Sequence, residues 1–214
     1  GDVLIDFVVK HAKAPVIISG RGNNFMYIHD DADIDMAIAL IINGKERISV
    51  CNALDKVLIN RRIFENGKDM SLLIQNIKSK GIEVTGDGTF ELYQDIVPID
   101  LNEDLMYEEF LASKIMFSVV NDSEEAIDKI NTYSGGHSAV IVTKNEAVAD
   151  HFLMHVDCAA VYHNASTRFT DGGQMGFGGE MAISTQKLHF RGPVGIDQLV
   201  TNKWFIYGNG QIRN

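Results

Sequence analysis

The feature that most constrains the fold is an alternation of short, almost wholly apolar segments with segments of helical periodicity. Residues 25–28 form one apolar segment, and Asp33 then opens a helix whose isoleucines recur at spacings of three and four residues. Further strands are predicted over residues 16–18, 57–59, 82–84, 115–120, 139–142 and 159–162, and further helices over residues 67–80, from Asp122 onward and over residues 146–156. Near-continuous apolar strands are typical of sheets buried on both faces. The sequence therefore predicts an α/β fold, with a mostly parallel sheet covered by helices.

The charge balance argues against two classes of partner. The 214 residues carry 19 Lys and Arg against 29 Asp and Glu, a net charge of −10, which disfavours nucleic acid and anionic membrane surfaces. The longest apolar run, residues 36–42, is far shorter than the roughly 20 residues that cross a bilayer. Residues 166–214 differ from the rest, since they hold five basic and three acidic side chains. We expect this last quarter of the chain to tolerate an anion.

The cellular compartment is predicted from the N-terminus and from cysteine usage. No charged start followed by an apolar stretch is visible, and the chain has only two cysteines, Cys51 and Cys158. We therefore expect a cytoplasmic protein in which both thiols are reduced.

Cys51 is the first candidate for chemistry because it lies between a predicted helix and a predicted strand, where side chains often face a site. A thiol at this place becomes a nucleophile if Arg47 or the helix end lowers its pKa. The alternative is a small buried hydrophobe, since free cysteine is among the most buried residue types. For Cys158, on an apolar strand, the core interpretation is preferred.

Metal and nucleotide motifs are weak in this sequence. His151 and His155 are spaced as a helical pair, but no third ligand accompanies them, so no metal site is predicted. The Gly-Arg-Gly at residues 20–22 lacks the third glycine of a dinucleotide fingerprint, and the glycine-rich residues 172–179 lack the ending of a phosphate-binding P-loop. We expect residues 172–179 to form a loop.

Residues 164–171 are dense in hydrogen-bonding side chains and include one arginine, a mixture that suits a carboxylate or a phosphate. An ordinary polar loop held by its own side chains fits the same composition. Farther along, residues 203–207 are typical of an aromatic strand. A lone strand leaves backbone groups unpaired, so we expect it to pair, with another subunit as one possible partner.

Several segments together resemble the glutamate-5-semialdehyde dehydrogenase family, also called the gamma-glutamyl phosphate reductase family, of the aldehyde dehydrogenase superfamily. They are residues 49–53 (SVCNA), 134–138 (SGGHS), 159–162 (AAVY), 164–173 (NASTRFTDGG), 183–189 (ISTQKLH), 191–193 (RGP) and 208–213 (GNGQIR). The likeness runs nearly end to end, and residues 164–173 are its most specific part.

The resemblance implies a reductase of proline biosynthesis. Such an enzyme converts L-glutamyl 5-phosphate and NADPH to glutamate 5-semialdehyde, phosphate and NADP. Cys51 matches the family's nucleophile, which forms a thioester that takes the hydride. The polar segment near the active site is matched by Asn164, Ser166, Thr167 and Arg168, which the resemblance assigns to the substrate.

Two further expectations come from the same resemblance. Glu109 resembles the acid that lies near the nicotinamide ribose, so it is the candidate cofactor-binding residue. Ile18, Asn24 and Phe25 stand where relatives often carry Glu, Cys and His. We therefore expect no catalytic role for that part of the chain.

The resemblance also divides the chain. Residues 1–24 are expected to be the tail of a cofactor-binding domain, residues 25–176 the catalytic cysteine domain, residues 177–199 a return segment and residues 200–214 an oligomerisation arm. Because family members are about twice as long, most of the NADPH site is expected outside this chain. The resemblance implies two further partners. One is a second copy of the chain, in a homo-oligomer formed through the terminal arm, and the other is glutamate 5-kinase as pathway neighbour.

Two alternatives stay open. The first alternative is a non-catalytic module, derived from such an enzyme, that binds substrate or serves assembly. The other alternative is a related acyl or aldehyde dehydrogenase that acts on a different substrate.

Overall fold

A parallel sheet of seven strands forms the centre of the computed structural model, which describes residues 2–100 and 103–213. The strands are β1 (Asn24–Ile28), β2 (Leu54–Asn60), β3 (Glu83–Gly86), β4 (Val97–Pro98), β5 (Lys114–Val120), β6 (Ser138–Val142) and β7 (Ala160–His163). Their order across the sheet is β4-β3-β5-β2-β1-β6-β7, and every neighbouring pair is parallel. A separate antiparallel pair joins β8 (Ala182–Ser184) to β9 (Gly192–Val194). The predicted α/β class and parallel sheet are confirmed.

The α-helices of the described residues are α1 (Asp2–His11), α2 (Ile34–Lys45), α3 (Arg61–Glu65), α4 (Gly67–Ser79), α5 (Glu103–Tyr107), α6 (Ser123–Tyr133) and α7 (Glu146–His155), with short 3₁₀ turns at Gly88–Phe90, Thr167–Phe169 and Ile196–Leu199. Helices from α2 onward cover the two faces of the sheet, whereas the side chains of residues 3–11 in α1 are largely exposed. Within the described residues, no helix has both the length and the apolar character needed to span a lipid bilayer.

Side-chain alternation along the strands divides the core into two layers. In β1, Met26 and Ile28 pack into the layer that holds α2 and α4, whereas Phe25 and Tyr27 pack into the layer that holds α6 and α7. All five residues of β1 are buried. Since successive side chains of a strand point to opposite faces, a strand in a doubly covered sheet must be apolar on both.

The predicted helix starts are confirmed. Asp33 caps α2, because its carboxylate accepts a hydrogen bond from the Met36 amide at 3.0 Å. Asp122 caps α6 in the same way, through the Glu125 amide at 2.9 Å. Gly44 does not end α2, which continues to Lys45. A Cβ atom on Gly44 would lie 2.7 Å from the Cβ of Leu54, so this glycine lets α2 approach β2.

Two local predictions are wrong. Residues 16–18 form no strand, since Ile18 makes isolated hydrogen bonds to Thr185 and Gln186 in place of a ladder. Cys158 lies in the turn before β7 and not within it, although it is buried as predicted.

The strand expected over residues 203–207 does not form within the single chain, and its pairing with another subunit stays a prediction. Trp204, Phe205, Ile206 and Tyr207 are 70–94% exposed and have no strand partner. A strand needs a neighbour to satisfy its backbone groups, and the described part of this chain supplies none to these residues.

The sheet encloses charged groups at the beginning of β2. Lys45 and Asp55 form an ion pair in which both side chains are almost fully buried. Lys56 is 0% exposed, and its Nζ donates to the Glu108 carbonyl at 2.6 Å and to the Asn23 Oδ1 at 3.1 Å. Burial lowers the pKa of Lys56 to about 7, because the interior penalises the charged ammonium.

We predict that Lys56→Met flattens the pH dependence of stability between about pH 7 and about pH 8.5. In this range the unfolded chain keeps a proton at Lys56 that the folded chain releases. The free energy of unfolding therefore rises with pH by about 1 kcal/mol per pH unit from this group, and methionine abolishes that rise. Urea unfolding at several pH values measures the slope.

A matched control for this prediction is Lys78→Met, which removes an exposed lysine paired with Asp95. The control should keep the slope of the parent chain. Equal slopes for Lys56→Met and the parent chain would contradict the prediction.

Candidate active site

Cys51 lies in the turn that leads from α2 into β2, at the end of the sheet where the parallel strands begin. The thiol is half-buried. The beginnings of β1 and β6 lie at the same end, because β1 pairs with both β2 and β6 in parallel register. The register between β1 and β2 shifts between Asn24 and Phe25, beside the Cys51 turn.

Asn24 holds the backbone on both sides of the nucleophile candidate. Its Nδ2 donates to the carbonyls of Gly22, Cys51 and Ala53 at 2.9, 2.7 and 2.7 Å. The residue is fully buried, so these contacts are shielded from water. Asn24 therefore positions the Cys51 turn through its side-chain amide. This is a structural role, and the absence of a catalytic role for this part of the chain stays a prediction.

Gly22 lets a second segment approach the same turn. A Cβ atom on Gly22 would lie 2.1 Å from the carbonyl oxygen of Cys51 and 2.5 Å from its Cα. Only a glycine fits at this distance from a backbone. The Gly-Arg-Gly at residues 20–22 thus serves close backbone packing.

Asn52 joins the Cys51 turn to the polar segment that begins after β7. Its Nδ2 donates to the Arg168 carbonyl at 3.2 Å and to the Thr170 carbonyl at 3.0 Å. Thr167 completes the contact, since its hydroxyl donates to the Asn52 carbonyl at 2.8 Å. Residues 167–170 are therefore held against the residue that follows the thiol.

The four residues assigned to the substrate take different places. The Asn164 side chain spans the end of β6, where it donates to the Thr143 carbonyl at 2.9 Å and accepts from the Thr143 amide at 3.1 Å. Asn164 therefore lies at the carboxyl-terminal ends of the strands, opposite to the Cys51 turn. Ser166 caps the following 3₁₀ turn, and Thr167 is occupied by Asn52.

Arg168 alone among these four offers uncommitted donors. Its Nε and Nη1 atoms are buried and have no hydrogen-bond partner among residues 2–100 and 103–213. Buried guanidinium nitrogens are normally paired, because a buried donor without a partner costs about 1–3 kcal/mol, and a charged donor costs more. The geometry therefore fits a bound carboxylate or phosphate next to Arg168.

The sequence suggested that Arg47 or a helix end lowers the pKa of the Cys51 thiol, but the structure shows the opposite shift. Burial raises the pKa of the Cys51 thiol, and the negative charges of Glu180, Glu109 and Asp171 raise it further. Arg47 is exposed. The thiol pKa is therefore not lowered by Arg47 or by a helix end in the chain as it stands.

Glu109 is half-buried near the same thiol. Burial raises the pKa of its carboxyl, the charge of Asp55 adds to this, and a hydrogen bond from the Gly22 amide opposes both. Since Gly22 also contacts the Cys51 backbone, Glu109 and Cys51 are neighbours across one glycine.

The glycine-rich loop folds over two acidic side chains. Glu180 accepts a hydrogen bond from the Gly172 amide at 2.6 Å, and Asp171 accepts from the Gly173 amide at 2.9 Å. The loop is thereby closed on itself, with both carboxylates near enough to the thiol to affect its pKa.

Potential metal ligands come together at another place. His29, Asp30 and Asp31 follow β1, within reach of a common centre. The Asp31 carboxylate accepts a hydrogen bond from the Thr143 hydroxyl at 2.6 Å, and Asp30 pairs with Arg62. These acids already stabilise the loops that follow β1 and β6.

Sequence reasoning missed Gly22, Asn24 and Asn52 as parts of the site. The available signal was the pair of asparagines that opens an otherwise apolar strand, since a buried amide needs nearby partners. Which partners they find depends on strand order.

Known proteins share the sequence and the fold of this chain. The profile of the aldehyde dehydrogenase family matches residues 66–205. A gamma-glutamyl phosphate reductase from Clostridium perfringens is 47% identical over 214 residues, which are 100% of this chain and 51% of that protein. The crystal structure of gamma-glutamyl phosphate reductase from Thermotoga maritima has a TM-score of 0.90 at 42% identity and covers 100% of this chain and 51% of that one.

A more distant structure shares the fold alone. An acetylating aldehyde dehydrogenase from Geobacillus thermoglucosidasius has a TM-score of 0.74 at 18% identity, over 100% of this chain and 56% of that one. The chain thus spans about half the length of the curated relatives it matches.

We predict that Gly22→Ala disrupts the Cys51 turn. The added methyl group must displace backbone atoms of Cys51, so the free energy of unfolding should fall by about 1–3 kcal/mol, as in other overpacked sites. Urea unfolding measures the change. Gly67→Ala is the matched control, because a Cβ atom there meets nothing within 4 Å. A Gly22→Ala chain as stable as the control would contradict this account of the turn.

Proposed function

Because the chain belongs to the aldehyde dehydrogenase family, we propose that it carries the catalytic cysteine half of an NADPH-dependent reductase of L-glutamyl 5-phosphate. The observation that carries this proposal is one juxtaposition. The segment of a half-buried thiol, Cys51, is joined by the Asn52 side chain to the backbone carbonyl of Arg168, whose side chain has two buried donors without a partner among the described residues. A nucleophile beside an anion-binding group is what attack on an acyl phosphate requires.

In the proposed reaction, Cys51 attacks the acyl carbon of L-glutamyl 5-phosphate. A carbon–sulfur bond forms, the bond to the phosphate oxygen breaks, and phosphate leaves with the bonding electron pair. The Cys51 proton must leave before the attack, since the thiolate is the nucleophile. The carboxylates whose charges act on the thiol, Glu180, Glu109 and Asp171, are the groups able to accept it.

Arg168 binds a negative group of the substrate in this proposal. Its free Nε and Nη1 suit two oxygens of a carboxylate or phosphate, the paired geometry in which arginine exceeds lysine. Ser166 and Thr167 support the segment, because their side-chain oxygens bond to backbone groups. Asn164 supports the end of β6 through Thr143.

For the cofactor, Glu109 is the residue of this chain that fits. A half-buried carboxylate beside the Cys51 turn can accept hydrogen bonds from ribose hydroxyls. When bound, NADPH would supply the hydride, and release of the aldehyde would break the carbon–sulfur bond and return the Cys51 thiolate. We place the rest of its site in the half of the relatives' length that this chain does not cover.

The remaining proposals concern the setting of the reaction. Residues 200–214 pair with a second copy of the chain, which gives the exposed aromatic residues 204–207 the strand neighbour they lack. The enzyme acts in the cytoplasm in proline biosynthesis, where glutamate 5-kinase supplies its substrate.

We predict that iodoacetamide labels Cys51 at least about tenfold faster than Cys158 near neutral pH. Cys51 is half-buried, whereas Cys158 is 9% exposed and burial raises its pKa to about 11. A phosphonate analogue of L-glutamyl 5-phosphate should protect Cys51. Peptide mass spectrometry of the folded chain measures both rates.

The outcomes of this labelling experiment separate the candidate functions. Selective labelling that the analogue blocks supports a nucleophile in a substrate site. Equal and slow labelling of both thiols contradicts the proposal and favours a non-catalytic module. Selective labelling without protection excludes this substrate and favours another acyl donor.

We predict that Arg168→Met weakens binding of the same phosphonate about 10- to 100-fold. The variant removes a charge-assisted contact worth about 1.5–3 kcal/mol. Isothermal titration calorimetry measures the affinity. Arg61→Met is the matched control, since Arg61 is exposed and its guanidinium bonds to Asn121. Unchanged affinity in Arg168→Met would remove this residue from the site.

A further inference from the structure

Two charged residues at the beginning of β2 direct their polar atoms at one segment. Asp55 and Lys56 follow Cys51 by four and five residues, and their exposed fractions are 1% and 0%. Neither side chain is able to touch a substrate. Both contact the segment that carries Glu109, which lies between α5 and β5.

Asp55 holds the peptide group that follows Glu109. Its Oδ2 accepts a hydrogen bond from the Phe110 amide at 2.9 Å. Its other oxygen, Oδ1, pairs with the ammonium of Lys45. Both carboxylate oxygens are therefore satisfied, one by a buried cation and one by the backbone next to Glu109.

Lys56 holds the peptide group that precedes Glu109. Its Nζ donates to the Glu108 carbonyl at 2.6 Å and lies 3.6 Å from the centroid of the Phe110 ring. The same Nζ donates to Asn23, which in turn donates to the Met106 carbonyl at 2.7 Å. The segment is thus anchored before and after Glu109.

We propose that Asp55 and Lys56 are positioning residues that hold Glu109 against the Cys51 turn. Both peptide groups that flank the Glu109 Cα are fixed by consecutive side chains of β2, the strand that directly follows the nucleophile candidate. One short stretch of backbone, residues 51–56, therefore sets the separation between the thiol and the acid. The importance of this separation for the reaction rests on the proposed function.

A lysine at position 56 costs stability, which argues that it does more than fill space. Burial of an ammonium is unfavourable, and an apolar side chain of similar volume is often neutral or stabilising at such a site. Methionine has no donor, so it cannot supply the hydrogen bonds that Lys56 makes to Glu108 and Asn23.

The test uses the charge of Glu109 as a reporter of its position, because that charge raises the pKa of the Cys51 thiol. The pKa is obtained from the pH dependence of Cys51 alkylation in the parent chain, Glu109→Gln, Lys56→Met and the double variant. Glu109→Gln should lower the thiol pKa by about half a unit, since a nearby negative charge is lost.

Lys56→Met should lower the thiol pKa by a similar amount, because Glu109 moves away from Cys51. Loss of the lysine charge by itself should contribute little, because Lys56, with a pKa of about 7, is largely uncharged in the pH range in which the thiol titrates. In the double variant the shift should equal that of Glu109→Gln alone, since both changes remove the same interaction. An unchanged pKa in Lys56→Met, or a further shift in the double variant, would overturn the proposal.

Lys114→Met is the matched control. Lys114 also lies over the Phe110 ring, at 4.5 Å from Nζ to the centroid, but no hydrogen bond joins it to Glu108. We expect this variant to keep the thiol pKa of the parent chain. A shift equal to that of Lys56→Met would assign the effect to the ring contact and overturn the role of the hydrogen bonds.

A measurement on the unmodified chain covers the case in which Lys56→Met does not fold. The Phe110 amide should exchange with deuterium as slowly as the amides of β2, because it donates to a buried carboxylate. Fast exchange at Phe110 would overturn the proposal. Neither experiment uses substrate or cofactor, so a failure of the proposed function, read from analogue protection of Cys51, is distinguishable from a failure here.

Discussion

The need to satisfy polar groups inside a sheet covered on both faces governs this structure. A buried amide or charge that lacks a partner costs free energy, so each polar side chain at the beginning of β1 and β2 must find one in the interior. Asn24 finds the carbonyls around Cys51, and Asp55 and Lys56 find the backbone around Glu109. The site geometry is the result of those pairings.

The site combines two opposing electrostatic features. Burial and the charges of Glu180, Glu109 and Asp171 raise the pKa of the Cys51 thiol, whereas Arg168 carries buried donors that have no partner in the described part of the chain. An anionic substrate satisfies the arginine but adds negative charge near the thiol. Proton removal from Cys51 and binding at Arg168 are therefore linked in the proposed reaction, in which the carboxylates that raise the thiol pKa also accept its proton.

Local sequence patterns predicted most of the fold and part of the site. The caps at Asp33 and Asp122 were predicted because a capping side chain and its helix are neighbours in sequence. The position of Cys51 between α2 and β2 followed for the same reason. The strand expected over residues 203–207 is absent from the single chain, since a strand needs a partner for its backbone groups and local composition does not say where that partner lies. The direction of the Cys51 pKa shift also required the burial of the thiol and the positions of acids from two distant segments, the one with Glu109 and the loop with Asp171 and Glu180.

The sequence by itself determined the α/β class, because apolar strands and amphipathic helices are set by spacings of two and of three to four residues. Only the tertiary structure decided which polar residues meet. Asn52 and Thr170 are 118 residues apart and Asp55 and Phe110 are 55 apart, yet each pair shares a hydrogen bond. Such contacts depend on strand order and register across the whole sheet, and a hydrogen bond has a range of only about 3 Å. No local pattern encodes a contact of that range between residues so far apart in the chain.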